Sequence, residues 1–296
     1  MKKLDYYVLD VFTDQRYKGN QLSVVDLDEE LALETYYDIA REFGYSETSF
    51  VHYSKKENAY KVRSFTPAGF EVAGAGHNLL GAVCLALLKR WDIFKNQSTS
   101  ELPWVLIKDT KIALKITEEN GLPFVGMKQR PVELLRKVPK NVIAPALGLD
   151  TDDIYIYDWE PTIVQTEVPH MIIPVKDTQS LKRAVNNKVQ LRAISEKYGF
   201  EGFYLFTTNQ LDGNYLVASR FFNPSVGIDE DPATGTAAGP LIGFLELQGY
   251  IHKNRDYIVM QGKYMDQPSI IRAQVAEDGI WVSGSSIIVM EGQIYV

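Results

Sequence analysis

Two glycine-containing turns precede strongly apolar segments, and both places could bind an anion. Gly74-Ala75-Gly76 comes before His77, and Ala233-Thr234-Gly235 comes before Thr236. Free N–H groups and the helix dipole attract anions at a helix N-terminus, and glycine lets a ligand approach the backbone. Neither turn matches a phosphate loop or a dinucleotide fingerprint. The pattern favours a small carboxylate over a nucleotide, and the alternative is a pair of tight turns that only let buried helices begin.

Three acidic residues, Asp229 to Asp231, stand before the second of these turns. Acids at a helix start are stabilising, and this is a sufficient explanation for Asp229 and Glu230. Asp231 differs because Pro232 follows it and restricts its backbone. A fixed carboxylate beside an anion site can orient a substrate ammonium group or a proton donor.

His77 and Glu47 are the other polar candidates. A helix N-terminus disfavours the imidazolium, so His77 is expected to be a neutral donor or acceptor, although a structural histidine is the alternative. Glu47 lies in a polar step, and composition alone describes it as an exposed loop glutamate. Cys84, the single cysteine, is expected to be a buried structural thiol. No spacing of His, Asp or Glu indicates a metal site, and one cysteine excludes a Cys-rich zinc site.

The elements that must position these residues are short strands and a few helices, which indicates an α+β fold with mostly antiparallel sheet. Two predicted helices, 77–91 and 236–250, are apolar nearly all round and should be buried on every side. Ordinary helices are predicted at Asp28–Phe43, Thr178–Val185 and Val189–Tyr198.

The two apolar helices indicate two similar halves. Each helix has strands before and after it, which favours a sheet wrapped round a central helix; two unrelated buried helices are the alternative. Lys128–Val142, with two prolines and several basic residues, is the best linker candidate. The strand Ile287–Val296 is a candidate to return to the first half.

Composition excludes several classes of protein. The chain has 296 residues, 45% hydrophobic and 23% charged, with a net charge of −7. Such an acidic chain lacks the basic surface expected of a nucleic-acid-binding protein or of a protein that binds anionic membranes. The longest strongly apolar run, Leu79–Leu88, is too short to span a bilayer, which needs about 20 residues. We expect a soluble cytoplasmic protein.

A set of motifs in order along the chain resembles the phenazine-biosynthesis PhzF family, from residue 10 to about residue 245. Any one motif is weak, but the ordered set is specific. The motifs are Asp10-Val11-Phe12-Thr13, Gly19-Asn20, Ser46-Glu47-Thr48, Arg63-Ser64-Phe65-Thr66-Pro67, Glu71, Gly76-His77 and Asp231-Pro232-Ala233-Thr234-Gly235-Thr236-Ala237.

The resemblance implies a diaminopimelate-epimerase-like α+β fold. Such a fold has two pseudo-symmetric domains, each with a mostly antiparallel sheet round a central helix, and a site in the cleft between them. The implied domains are residues 1–125 with 284–296, around helix 77–91, and residues 126–283, around helix 236–250. Family members commonly form homodimers and use no metal or organic cofactor.

The resemblance also assigns roles to residues. Glu47 would be the general acid/base that removes a proton from carbon and returns it elsewhere, and His77 and Asp231 would hold or protonate the substrate. Gly76, Gly235 and Thr236 would donate hydrogen bonds to the substrate carboxylate, with Asn20 nearby.

Three functions follow for comparison. The first is a cofactor-independent isomerase acting on a small carboxylic acid, either an amino acid or a cyclic unsaturated acid. The second is a non-catalytic module that binds a small molecule or a protein and retains the fold. The third, a two-thiol epimerase, needs a cysteine at each helix start, where this chain has His77 and Thr236.

Overall fold

The computed structural model describes residues 2–95, 97–98, 100–209, 211 and 213–296. The chain divides into two units, Met1–Lys128 with Ser283–Val296 (unit 1) and Gln129–Val282 (unit 2).

Unit 1 is built from a ring of strands around one helix. Its strands are β1 (Lys3–Val11), β2 (Asn20–Leu27), β3 (Thr48–Ser54), β4 (Ala59–Phe65), β5 (Glu71–Val72), β6 (Trp104–Ile107), β7 (Thr110–Glu119), β8 (Leu122–Gln129) and the part of β17 (Gly279–Tyr295) that lies in this unit. Its helices are α1 (Leu33–Phe43) and α2 (His77–Leu88). Antiparallel pairs β1–β2, β3–β4, β6–β7 and β7–β8 alternate with parallel pairs β2–β3 and β4–β6. β17 pairs with β1 and with β8, which closes the ring.

Unit 2 repeats this topology. Its strands are β9 (Glu133–Lys137), β10 (Thr162–Gln165), β11 (Pro169–Pro174), β12 (Gly202–Thr207), β13 (Val217–Asn223), β14 (Ile228–Asp231), β15 (Tyr257–Gln261) and β16 (Ser269–Ala276). Its helices are α3 (Lys140–Ile143), α4 (Thr178–Arg183), α5 (Lys188–Tyr198) and α6 (Gly235–Leu247). β10–β11, β12–β13 and β15–β16 are antiparallel, and β11–β12 and β13–β15 are parallel, in the same order as in unit 1.

The two central helices are buried because their sequences have no polar face. In α2 the residues from His77 to Ala86 are all buried, and α6 is buried from Ala237 to Leu245. α2 packs on β1, β2, β3 and β4, and α6 packs on β10, β11 and β16. A helix that is apolar on every side is stable only when strands surround it, as they do in each unit.

α2 and α6 each end three residues earlier than the sequence predicts, and for the same reason. Arg90 and Gly249 take left-handed backbone conformations, with φ of 58° and 71°. The N–H groups of Trp91 and Tyr250 then donate to the carbonyls of Ala86 and Leu245, which closes each helix.

Two other predictions of local structure are wrong. The helix predicted from Asp28 begins only at Leu33, because Ala32 has an extended backbone and Tyr36 Oη accepts a hydrogen bond from the Leu31 N–H. The predicted linker Lys128–Val142 contains β9, which pairs with β10, and most of α3. Its prolines stand just outside these elements, where they break no ladder bond.

No helix of the described ranges is long and apolar enough to cross a membrane.

Candidate active site

Glu47 lies in the short connection between α1 and β3 in unit 1, residues 44–47, which is called the Glu47 step. Gly44 ends α1 in a left-handed conformation, and β3 begins one residue after Glu47. Hydrogen bonds on both sides fix the step. Ser23 Oγ lies 2.7 Å from Thr48 Oγ1, and Ser49 Oγ donates to the Asn78 carbonyl at 3.2 Å. The backbone at Glu47 is therefore fixed near the first turn of α2, and the residue is partly buried.

His77 is the first residue of α2, and it faces the same step. Its Nε2 lies 3.4 Å from Ser46 Oγ, the neighbour of Glu47. Burial lowers the pKa of His77 to about 4, so the imidazole is neutral near pH 7. A neutral His77 at this helix start agrees with the expectation from the sequence. The neutral ring can donate one hydrogen bond and accept another.

The N-terminus of α2 has no capping side chain and no acidic residue in its first turn. The Asn78 side chain folds back, accepting from the Gly76 N–H at 2.8 Å and donating to the Gly74 carbonyl at 3.1 Å. The first bond inside the helix is made by the Leu80 N–H. The N–H groups of residues 77–79 donate to no acceptor among the described residues, so they are available to an anion.

Asn20 begins β2 at the end of the sheet where Glu47 precedes β3, because β2 and β3 run parallel with Ser23 opposite Thr48. The Asn20 side chain is buried. Gly19 before it has φ of 73°, and a Cβ there would lie 2.4 Å from the Val11 carbonyl oxygen. The turn therefore requires glycine, and it fixes the start of β2.

In unit 2, Asp231 ends β14 and is 5% exposed. Its Oδ2 accepts a hydrogen bond from Thr234 Oγ1 at 2.5 Å. The side chain of Gln261 supports both residues: Nε2 donates to the Asp231 carbonyl at 2.7 Å and to Thr234 Oγ1 at 3.0 Å. The carboxylate is thus oriented by a hydrogen-bond network, in addition to the restriction that Pro232 imposes on the backbone.

The network continues away from Asp231. Gln261 Oε1 accepts from the Thr234 N–H at 3.1 Å and from Tyr204 Oη at 2.8 Å, and Tyr204 Oη accepts from Ser219 Oγ. Burial raises the pKa of Tyr204, so its hydroxyl stays protonated and donates. Sequence reasoning missed Gln261 and Tyr204, because each is one of two residues with a polar side-chain atom in a mostly apolar strand.

The N-terminus of α6 resembles that of α2. Thr234 stands at the cap position but gives its hydroxyl to Asp231, so no side chain caps the helix. The first helical bonds are made by the N–H groups of Ala237 and Ala238, both to the Thr234 carbonyl. Within the part of the chain that the structure describes, the N–H groups of Gly235 and Thr236 donate to no acceptor. Thr236 is the partly exposed residue of this turn, so its hydroxyl is accessible.

The predicted site residues therefore form two groups. Unit 1 brings Asn20, Glu47, Gly76 and His77 to the start of α2. Unit 2 brings Asp231, Gly235 and Thr236 to the start of α6. Each group combines uncapped N–H donors with one carboxylate whose neighbours are fixed by hydrogen bonds, an arrangement that can bind a carboxylate and move a proton.

Other candidate groups do not fit chemistry of this kind. Cys84 lies inside α2, and burial raises its pKa to about 12, so the thiol is not ionised near pH 7. Burial lowers the pKa of His170 to about 3, and neither ring nitrogen has a hydrogen-bond partner among the described residues. Within those residues, no cluster of His, Cys, Asp and Glu could hold a metal ion.

Comparison with known proteins identifies the family. The family model for phenazine biosynthesis-like protein, PhzC-PhzF, matches residues 9–292. The chain belongs to this family. It is an isomerase of the PhzF type, and the predicted diaminopimelate-epimerase-like α+β fold is confirmed.

Three similar proteins support this conclusion. An uncharacterized isomerase of Clostridium acetobutylicum is 27% identical over 99% of both chains. The trans-2,3-dihydro-3-hydroxyanthranilate isomerase of Pseudomonas aeruginosa is 28% identical over 98% of this chain and 99% of that protein. The crystal structure of a PhzF-family protein of Bacillus anthracis matches with a TM-score of 0.87 and 25% identity over the full length of both chains.

Proposed function

We propose that this isomerase moves a proton on a small carboxylic acid without a cofactor, with Glu47 as the general acid/base. The observation that carries the proposal is the arrangement at the start of α2. There Ser46, next to Glu47, is hydrogen-bonded to a neutral histidine, beside N–H groups that donate to no acceptor among the described residues.

The internal repeat supports a chemical role for Glu47. Arg63 and Phe65 in β4 correspond to Arg220 and Phe222 in β13, because both arginines pair with a glutamate and stack on the phenylalanine two residues later. Phe65 lies opposite Thr48, and Phe222 lies opposite Phe203. Gly202 is therefore the counterpart of Glu47.

A side chain at position 202 has no room. A Cβ on Gly202 would lie 2.2 Å from the Phe221 ring. The repeated fold therefore forms without an acid at this position, so Glu47 is not needed to build it. A carboxylate that the fold does not require is a candidate for function.

The proposed reaction needs no oxidant or reductant. The Glu47 carboxylate takes a proton from a substrate carbon, and the C–H electron pair moves into the adjoining unsaturated system. The protonated Glu47 then returns the proton to another carbon, and the electron pair forms the new C–H bond. Helix N–H groups stabilise the negative charge on the substrate carboxylate while this happens.

The other residues orient the substrate in this proposal. His77, being neutral, donates or accepts one hydrogen bond, and Asp231 orients a substrate ammonium group or a proton donor. Gly76, Gly235 and Thr236 donate to the carboxylate, with Asn20 near the first of them. Holding a substrate in a reactive orientation lowers the barrier independently of the proton transfer itself.

The test is carbon-bound deuterium exchange in deuterated water, followed by mass spectrometry. The first compound is trans-2,3-dihydro-3-hydroxyanthranilate, which the name of the Pseudomonas relative suggests; amino acids and other unsaturated acids complete the panel. Glu47→Gln is the inactive variant, and Glu42→Gln, an exposed glutamate of α1, is the matched control. The proposal predicts incorporation into one compound by the wild type and by Glu42→Gln only.

Exchange that survives in Glu47→Gln would contradict the role of Glu47. Ligand binding without exchange, with equal affinity in the wild type and Glu47→Gln, would support the alternative of a non-catalytic binding module. A thermal-shift screen of the same panel measures that binding.

We further propose that the isomerase is a cytoplasmic homodimer, as the family resemblance implies. Light scattering coupled to size-exclusion chromatography measures the mass in solution. A monomeric mass at micromolar concentration would contradict the dimer.

A further inference from the structure

Both units contain a forked ion pair immediately before the central helix. In unit 1, Arg63 in β4 donates from Nε and Nη2 to the two carboxylate oxygens of Glu71 in β5, at 2.8 and 3.0 Å. In unit 2, Arg220 in β13 donates in the same way to Glu230 in β14, at 2.8 and 2.7 Å. Fork-to-fork geometry fixes orientation as well as distance, and it is the strongest form of this contact.

The arginine of each pair is held by further contacts. Arg63 stacks over the rings of Tyr36 and Phe65, with its guanidinium carbon 4.6 and 5.1 Å from their centroids. Arg220 lies 4.8 Å from the Phe222 centroid and 5.6 Å from that of Tyr264. Stacking and burial leave each guanidinium little freedom to turn.

Arg220 also makes hydrogen bonds to the backbone of α4. Its Nη1 donates to the carbonyls of Leu181, Lys182 and Ala184 at the C-terminal end of α4, at 3.0, 3.2 and 2.7 Å. The side chain therefore ties α4, β13 and β14 together, and it is 10% exposed.

The strands that these pairs hold have short ladders. β5 has two residues, which pair with Ser64 and Phe65 in β4. β14 pairs with β13 at Phe221–Asp231 and Asn223–Ile228, with an irregularity between the two positions. So short a ladder is weak by itself. Yet each strand leads into the turn that starts the central helix, and Asp231 is the residue directly after Glu230.

We propose that Arg63–Glu71 and Arg220–Glu230 are positioning pairs, which hold the short strands so that the helix starts at His77 and Gly235 and the Asp231 carboxylate keep their geometry. This inference rests on the proposed function for its effect on turnover, but its structural part can be tested alone. Arg63 also lowers the pKa of Glu71, so that pair stays charged near pH 7. The same device in both units, at the same point of the topology, argues against a chance surface contact.

The experiment is amide hydrogen exchange followed by mass spectrometry on Glu230→Gln, with Asp229→Asn as the matched control. Asp229 lies next to Glu230 and pairs with Lys188 at 2.6 Å, but its side chain is 67% exposed, so its loss should change little. We expect peptides covering residues 226–238 to exchange about tenfold faster or more in Glu230→Gln, with peptides covering residues 70–80 unchanged. Glu71→Gln should give the reverse pattern.

Turnover supplies the second readout. In both glutamine variants we expect kcat per folded molecule to fall about tenfold or more, with KM changed less than about threefold, because a displaced catalytic group affects the reacting geometry more than the binding of the substrate. If Glu230→Gln is insoluble, Arg220→Lys keeps the positive charge without the fork and should give the same local exchange. Wild-type exchange at residues 226–238 in Glu230→Gln, or in Arg220→Lys where that variant replaces it, would overturn the proposal.

The two readouts separate the failure of this inference from the failure of the proposed function. Faster local exchange in a protein whose wild type turns over none of the panel would leave the positioning pairs standing and contradict the isomerisation. Reduced kcat without faster local exchange would contradict the positioning role and leave the isomerisation standing.

Discussion

Replacing Gln261 with leucine should destabilise unit 2, because that one side chain satisfies four polar groups in a buried network. It donates to the Asp231 carbonyl and to Thr234 Oγ1, and it accepts from the Thr234 N–H and from Tyr204 Oη. Its own exposure is 0%. Leucine has nearly the same volume and no hydrogen-bonding atom, so the change isolates the polar contribution.

The magnitude follows from which groups lose their only partner. The Thr234 N–H and the Tyr204 hydroxyl proton are left without an acceptor, and the Asp231 carbonyl without this donor. A buried polar group left unsatisfied costs about 1–3 kcal/mol, so the free energy of unfolding should fall by about 4 kcal/mol. That loss is a large share of the stability of a typical domain, about two fifths of it for a domain stable by about 10 kcal/mol.

Urea denaturation followed by tryptophan fluorescence measures the loss. Gln274→Leu is the matched control, since the Gln274 side chain makes one exposed hydrogen bond, to Asp256 at 3.2 Å. We expect the control to change the free energy of unfolding by less than about 0.5 kcal/mol. A loss of unfolding free energy below about 1 kcal/mol in Gln261→Leu would show that the buried network stabilises unit 2 no more than a surface contact does, contrary to this prediction.

Two further predictions concern His77 and Cys84. The pKa of His77 is about 4 in the folded protein and 6.5 in the reference state, so the unfolded chain binds more protons between these values and stability falls as the pH drops from about 6.5 to 4. The difference between these two pKa values corresponds to about 3 kcal/mol of unfolding free energy. Denaturation at pH 7 and pH 4.5 should show a smaller loss of unfolding free energy for His77→Gln than for the wild type. Equal losses would contradict a neutral, buried His77. Cys84→Ser should leave kcat unchanged, because a buried thiol with a pKa of about 12 takes no part in proton transfer, and an inactive but folded variant would show that a thiol is needed.

Much of the fold was predictable because the central helices carry an unusual signal. A segment such as Thr236–Leu247, apolar on every side and following a glycine turn, has no stable position except inside a sheet. Two such segments predicted the repeat. The end of α2 was not predictable, because it depends on Arg90 adopting a left-handed backbone conformation, of which arginine gives no sign in the sequence. Gly249 does the same at the end of α6, where glycine is the usual signal.

The site was predictable to a smaller extent. Composition alone described Glu47 as a loop residue, and only the ordered motifs suggested a role for it. The residues that orient Asp231 were not predicted. Gln261 lies 30 residues after Asp231 in the sequence, and Tyr204 lies in a mostly apolar strand that is buried throughout. Contacts between distant segments follow from topology, which local sequence patterns do not contain.

The repeat itself was visible in the helices but not in the ion pairs. Arg63–Glu71 and Arg220–Glu230 are separated by eight and ten residues, and the two partners of each pair lie on different strands, so no periodicity within one element relates them. The pairs form because a short strand folds back on the longer strand before it, at the same point in each unit.

Proton transfer by Glu47 is tested by the kcat of Glu47→Gln, measured beside His77→Ala and Glu42→Gln on the compound that exchanges deuterium. General acid/base groups contribute about 100- to 10,000-fold, so we expect at least a 100-fold loss in Glu47→Gln, a smaller loss in His77→Ala and none in Glu42→Gln. Circular dichroism establishes that each variant is folded. Undiminished turnover in Glu47→Gln, or a larger loss of kcat in His77→Ala than in Glu47→Gln, would contradict proton transfer by Glu47.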